Sequence, residues 1–176
     1  MTSEGIVIRP AHQDDVDTIV LFNAAMALET ERRRLDRATL RQGILAFLKN
    51  PGYGFYIVAE LRGDTSHKPV GQLMITYEWS DWRNGAFWWI QSVYVVPDQR
   101  GLGVFRAMHA HILVKAKADP CVCGLRLYAE RDNRRAQTVY QRVGLRPSCY
   151  TIYEQDFVLD HTGSEKYTTR SNNEKQ

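Results

Sequence analysis

Arg100, Gly101, Gly103 and Arg106 are the residues whose types and spacing most directly suggest chemistry. Two glycines one residue apart, bracketed by guanidinium groups, make a turn able to hold an oxyanion. The glycines accept positive φ and let the backbone approach a ligand closely. Val104 to His111 then read as the start of a helix. Its first N–H groups lack intrahelical partners and carry about half a positive charge. Upstream, Val93, Tyr94, Val95 and Val96 read as a buried strand stopped by Pro97. Strand, stop, glycine turn and helix in that order fit a phosphate cradle. Two nucleotide-binding alternatives fail. A P-loop needs Lys and Ser or Thr after its last glycine, where this chain has Val104 and Phe105. A Rossmann fingerprint needs a third glycine at the position of Arg106.

The rest of the chain must position that turn. With 176 residues, 44% hydrophobic and 11% aromatic, one domain with a substantial core is expected. A net charge of +3 from 23 basic and 20 acidic residues is too balanced to suggest nucleic acid. Cys121, Cys123 and Cys149 are an odd set that gives no disulfide framework, so a reducing, cytoplasmic setting is expected. No leader pattern opens the sequence, and no apolar run reaches the ~20 residues of a membrane span.

The periodicities predict strands at 6–9, 55–60, 70–77, 87–96 and 125–129, with a hairpin signal at Asn84-Gly85. Helices are predicted after His12, after Asp36, after Gly103 and over 133–143. The first carries Val16, Ile19, Val20, Asn23 and Ala27 on one face. The second carries Leu40, Ile44, Phe47 and Leu48, and the third Val104, Ala107, Met108, His111 and Ile112. Residues 146–157 read as one or two closing strands, and 161–176 as a polar, disordered or extended tail. The expected organisation is one domain over 1–160 followed by that tail. Its fold class is α/β (α+β), a mixed sheet with helices on both faces in the order β-α-α-β-β-β-α-β-α-β(-β).

Two motifs now carry a resemblance. One is Val-x-Pro-x-x-Arg-Gly-x-Gly, ending at Arg100, Gly101 and Gly103; the other is Asn133-x-x-Ala136-x-x-x-Tyr140-x-x-x-Gly144-Leu145. Together, with a strand between them, they resemble the acyl-CoA motif and the following helix of the GCN5-related N-acetyltransferase (GNAT) superfamily. The similarity runs from about Ile6 to about Phe157. It implies a mostly antiparallel sheet of six or seven strands, and acetyl-CoA as co-substrate for acetylating an amine. It places the pantetheine arm on the backbone of Val93, Tyr94 and Val95. The pyrophosphate falls on the N–H groups of Arg100, Gly101, Leu102, Gly103, Val104, Phe105 and Arg106. Phe105 stands where the family has a small residue, so its ring must point away from the cofactor. Tyr140 is implied as the general acid for the leaving thiolate, and the Val93 N–H as a donor to the acetyl oxygen. Asn133 either caps its helix or bonds the pantetheine.

No residue stands out as general base. Gln91 shares a face with Val93 by strand alternation and could orient a water or the substrate. Glu29, Glu31, Glu78, Asp81 and Glu130 are further candidates. By family analogy the acceptor approaches Glu29 and Glu31, then Glu78, Trp79 and Trp82. Carboxylates with indoles suit a small cationic or polyamine-like amine. A protein or peptide amine and a non-catalytic acyl-CoA sensor stay open as alternatives. His109 and His111 point apart on a helix, so no metal site is expected. Neither a nucleic-acid nor a membrane partner is expected, and a homodimer is compatible with the sequence without being required by it.

Overall fold

Hairpin turns and β-branched runs order the sheet. A computed structural model describes residues 5–65 and 68–158, in two units that divide after Arg146. The first unit holds strands β1 (Ile6–Pro10), β2 (Gly54–Leu61), β3 (Gly71–Ser80), β4 (Gly85–Val95) and β5 (Val122–Arg126), ordered β1-β2-β3-β4-β5. The first four pair antiparallel, and β5 pairs parallel to β4. Asn84 takes φ 45° and closes the β3–β4 hairpin, the role its Asn-Gly pair predicts. A parallel neighbour requires a crossover, which helix α3 (Val104–Ala118) supplies.

Two earlier helices pack on the opposite face. Helix α1 (Val16–Glu31) buries Val16, Ile19, Val20, Asn23 and Ala27, as their spacing predicts, together with Phe22. Helix α2 (Arg37–Leu48) starts at Asp36, whose carboxylate accepts the Thr39 N–H at 2.7 Å. These two helices pack with Tyr56 and Met74 of the sheet. On the far face α3 packs Val104, Met108, Ile112 and Ala116 against Leu73, Ile75, Trp88 and Ile90, and His109 is buried as well. The inner stripe runs at i, i+4 steps, which brings His109 inward rather than the expected His111. Helix α4 (Arg134–Arg142) is capped by Asn133, whose side chain accepts the Ala136 N–H at 3.0 Å.

Three expectations are corrected. The fifth strand lies three residues earlier than predicted. Asp119 completes the preceding turn by accepting the Cys121 N–H at 2.9 Å, and the Phe87 ring fills the space a side chain at Gly124 would need. The closing strands expected in 146–157 are absent among the described residues, so the sheet has five strands there rather than six or seven. Tyr150, Ile152, Tyr153 and Phe157 are exposed; alternation supplies β-propensity but not a partner strand. The tail at 161–176 lies outside the described residues.

The third correction concerns β4. Gln72 and Met74 of β3 face Tyr94 and Gln91, so β4 carries one extra residue between them. Ser92 sits in this bulge at φ 49°. The extra residue reverses the alternation. Trp88, Ile90, Val93 and Val95 face α3. Gln91 lies opposite Met74, and Tyr94 opposite Gln72, on the α1–α2 side. Gln91 and Val93 therefore lie on opposite faces, not on a shared one.

Where α1 enters, Arg9 donates to both carboxylate oxygens of Asp15 at 2.7 and 2.9 Å and to Glu60 at 2.7 Å. Burial pushes the Asp15 pKa up, but bonds from Arg9 and the His12 N–H outweigh it and hold the carboxyl below its usual range. The stability Asp15 contributes is therefore present above its unfolded pKa of ~3.9 and lost as pH falls through the lower folded value. Asp15→Asn should cost about 2 kcal/mol of unfolding free energy at pH 7. In paired denaturant melts the gap from wild type should close as the pH drops below ~3.9.

Candidate active site

Strand β4 outlasts its parallel neighbour. The β4–β5 ladder ends at Trp89↔Arg126, while β4 runs on to Val95. Val96 donates its N–H to Val70 on the β3 side at 3.0 Å. Backbone groups alternate between edges, so Tyr94 also addresses β3, and Val93 and Val95 address the edge that β5 has left. Three consecutive residues cannot all present one edge, and Tyr94 is the one paired with Gln72 of β3. Tyr94 contributes its ring instead, 5.1 Å from Phe22 and 5.3 Å from the Arg100 guanidinium.

At the end of this edge the chain makes a 3-10 turn over Pro97–Gln99 and enters the glycine loop. Gly101 and Gly103 take φ 83° and 92°, a conformation that other residues adopt only with strain. Helix α3 follows with no acidic residue in its first turn and no side-chain cap at Gly103. Its first N–H groups are left for an outside acceptor. A Cβ at Gly103 would stand 3.5 Å from Arg106 Nη2, so that guanidinium lies over the turn. Leu102 is exposed. Arg100 donates through Nε to the Val95 carbonyl at 2.8 Å and through Nη2 to Glu29 at 2.7 Å. The Tyr94 hydroxyl also donates to Glu29, at 3.1 Å.

Tyr140 lies on α4 with its ring 5.4 Å from that of Phe105, edge to face. Its hydroxyl has no hydrogen-bond partner among the described residues, and burial pushes its pKa above the ordinary phenol value. It is therefore a protonated donor at neutral pH. Phe105 packs sideways from α3 against the core cluster, His109 and Tyr140. Burial lowers the His109 pKa, which keeps the ring neutral.

The residues expected to meet an acceptor do not form one group. Glu29 is held by Arg100 and Tyr94. Glu31 is exposed, 4.0 Å from Arg33. Glu78 accepts from Arg126 at 2.6 Å and from the Trp89 indole. Trp79 follows Glu78 in the strand and so points to the other face; it is 63% exposed, and Trp82 at the hairpin tip is 84% exposed. Asp81 bonds the Trp82 N–H and Glu130 the Asp132 N–H, both within local turns. Gln91 donates to Thr76 and accepts from the Tyr128 hydroxyl at 3.1 Å.

Sequence reasoning missed a second polar group beside the bulge. Gln72 is fully buried and donates to the Ser92 carbonyl at 3.2 Å and to Asn23, which donates to the Tyr56 hydroxyl at 3.4 Å. The available signal was a lone glutamine in an apolar strand facing a lone asparagine in an apolar helix stripe. Among the described residues no three metal-ligating side chains converge, and no helix is long and apolar enough to cross a membrane.

Comparison with known proteins agrees with this geometry. The sequence matches the Acetyltransferase (GNAT) family over residues 21–145. The structure is similar to one described as "a possible acetyltransferase" from Clostridium difficile, at 40% identity and TM-score 0.79, covering 88% of this chain and 99% of the other. It also resembles a predicted acetyltransferase with acetyl-CoA from Clostridium acetobutylicum, at 16% identity and TM-score 0.68, covering 85% and 96%. A GCN5-related N-acetyltransferase from Ralstonia eutropha matches at 21% identity and TM-score 0.66, covering 86% and 99%. No curated protein matches significantly. The two motifs, the parted β4 and β5 strands and the match over most of the folded chain place this protein in the GNAT acetyltransferase family.

Proposed function

We propose that this protein transfers an acetyl group from acetyl-CoA to a primary amine by direct attack. The observation that carries the reading is the outer edge of β4 at Val93 and Val95, continuous with an uncapped helix start at Gly101–Arg106. The spacing suits a ligand with an amide-bearing arm and a diphosphate. The arm adds to the open edge as a strand would, and the diphosphate meets the helix N–H groups. Arg100 already bonds the Val95 carbonyl at 2.8 Å, so it must turn outward to release that acceptor, which brings its charge toward the phosphates.

Acetyl-CoA supplies an activated acyl carbonyl on a thiol leaving group. In this reading the Val93 N–H donates to the carbonyl oxygen as negative charge gathers there. The amine nitrogen bonds the carbonyl carbon, the carbon–sulfur bond breaks, and Tyr140 gives its phenolic proton to the departing sulfur, whose solution pKa is ~8.5. Glu29 and Glu78 are held in ion pairs, so the amine's proton leaves through water, with Gln91 and Tyr128 as nearby hydrogen-bonding groups.

Thiol release from acetyl-CoA across a panel of amines tests the reaction. Acetyl-CoA binding without thiol release for any amine would favour the sensor alternative. Tyr140→Phe should lower kcat about 100-fold and leave the acetyl-CoA Kd within about twofold; an unchanged kcat removes Tyr140 from the mechanism. Phe105→Ala should keep the acetyl-CoA Kd within about threefold, because backbone groups carry the phosphate contacts. The same change should lower kcat about tenfold, because Tyr140 loses the ring that positions it.

A further inference from the structure

An open cavity of about 350 Å³ lies between α1, α2 and the sheet. Leu40, Gly43, Ile44 and Phe47 of α2 form one wall, at spacings that put them on a single helix face. Tyr56 and Met74 form the floor, and Asn23 and Ser92 the polar end. No charged side chain lines it. The polar end is partly bonded internally: Gln72 donates to Asn23 and to the Ser92 carbonyl, Asn23 donates to Tyr56, and the buried Gln72 Oε1 has no partner among the described residues. The cavity therefore offers apolar surface and hydrogen-bonding groups, and nothing to neutralise a cation.

Its position ties it to the reaction. Ser92 lines the cavity and immediately precedes Val93, ~3.8 Å away along the chain. The bulge turns the Val93 side chain toward α3, while half-buried Ser92 lines the cavity on the α1–α2 side. A group seated in the cavity therefore lies beside the strand residue next to Val93, the proposed donor to the acyl carbonyl. The carboxylates first expected to meet a cationic acceptor are ion-paired elsewhere.

We infer that this cavity binds the non-reacting part of the acceptor, and that the acceptor is a primary amine whose remainder is uncharged and largely apolar. The inference rests on the acetyltransferase reading and narrows its substrate class. Gly43 supports it. A glycine in a helix interior costs about 1 kcal/mol relative to alanine. A Cβ at Gly43 would meet nothing within 4 Å, so close packing does not require the glycine. Its smallness keeps the cavity open.

The test measures thiol release with phenethylamine, isopentylamine, ethylamine, putrescine and spermidine, for wild type, Gly43→Leu and Gly43→Phe, with acetyl-CoA Kd measured separately. Wild type should favour phenethylamine and isopentylamine over ethylamine and the polyamines by about tenfold or more in kcat/KM. Filling the cavity should reduce the isopentylamine-to-ethylamine ratio about tenfold, chiefly through KM, without changing acetyl-CoA Kd. Gly43→Leu gives the same reading should the larger substitution fail to fold. Preference for the polyamines, or an isopentylamine KM unmoved by either substitution, overturns the inference and leaves the acetyltransferase reading standing. Thiol release with none of the amines overturns that reading itself.

Discussion

One extra residue in β4 is the constraint on which the site depends. Ser92 holds a left-handed conformation at φ 49°, which costs a non-glycine residue about 1–2 kcal/mol. Buried Gln72 offsets part of that by bonding the Ser92 carbonyl at 3.2 Å. In return, Val93 and Val95 join the α3 core while Trp89, Gln91 and Tyr94 face the other helices. Without the insertion, Tyr94 would turn into the α3 core and lose Phe22 and Glu29. The same strand then continues past the last β5 pair, and among the described residues no strand pairs with that edge beyond it. A sheet edge is ordinarily an aggregation hazard; here it ends at a helix start and gains a use.

A second set of contacts decides which charges are available. Arg100, Glu29 and Tyr94 join the last turn of α1 to the loop before the glycines. Arg126 joins β5 to Glu78 and stacks 3.6 Å above the Phe87 ring. Partly exposed ion pairs of this kind contribute about 0–1 kcal/mol each, too little to hold the fold together. Their consequence is positional: Arg100 is held at the Val95 carbonyl, and the Glu29 and Glu78 carboxylates each carry a guanidinium partner. The cavity between α1, α2 and the sheet is lined by hydroxyls, an amide and apolar surface.

Most of this architecture is legible in the sequence. Asp36 and Asn133 announce their helices because a cap is a local hydrogen bond, and Asn84-Gly85 announces its hairpin because the turn needs positive φ. The α1 stripe is legible because five inward residues share one period. The missed features are non-local. A bulge depends on the strand opposite, and nothing in Gln91-Ser92-Val93 alone signals an inserted residue. The ion pairs of Glu29 with Arg100 and of Glu78 with Arg126 were not legible either, because each guanidinium arrives from a distant part of the chain. The expected closing strands failed because the alternation in 146–157 cannot name its partner. The cavity beside Gly43 exists only once α2 meets the sheet.

The proposed mechanism requires the β4 edge and the start of α3 to bind acyl-CoA through backbone N–H groups. A titration of acetyl-CoA followed by amide ¹H–¹⁵N shifts tests it most directly. The amides of Val93, Val95 and residues 101–106 should show the largest shifts and saturate together, while those of β1 and β2 barely move. Saturable binding that leaves the amides of Val93, Val95 and residues 101–106 in place would contradict the account.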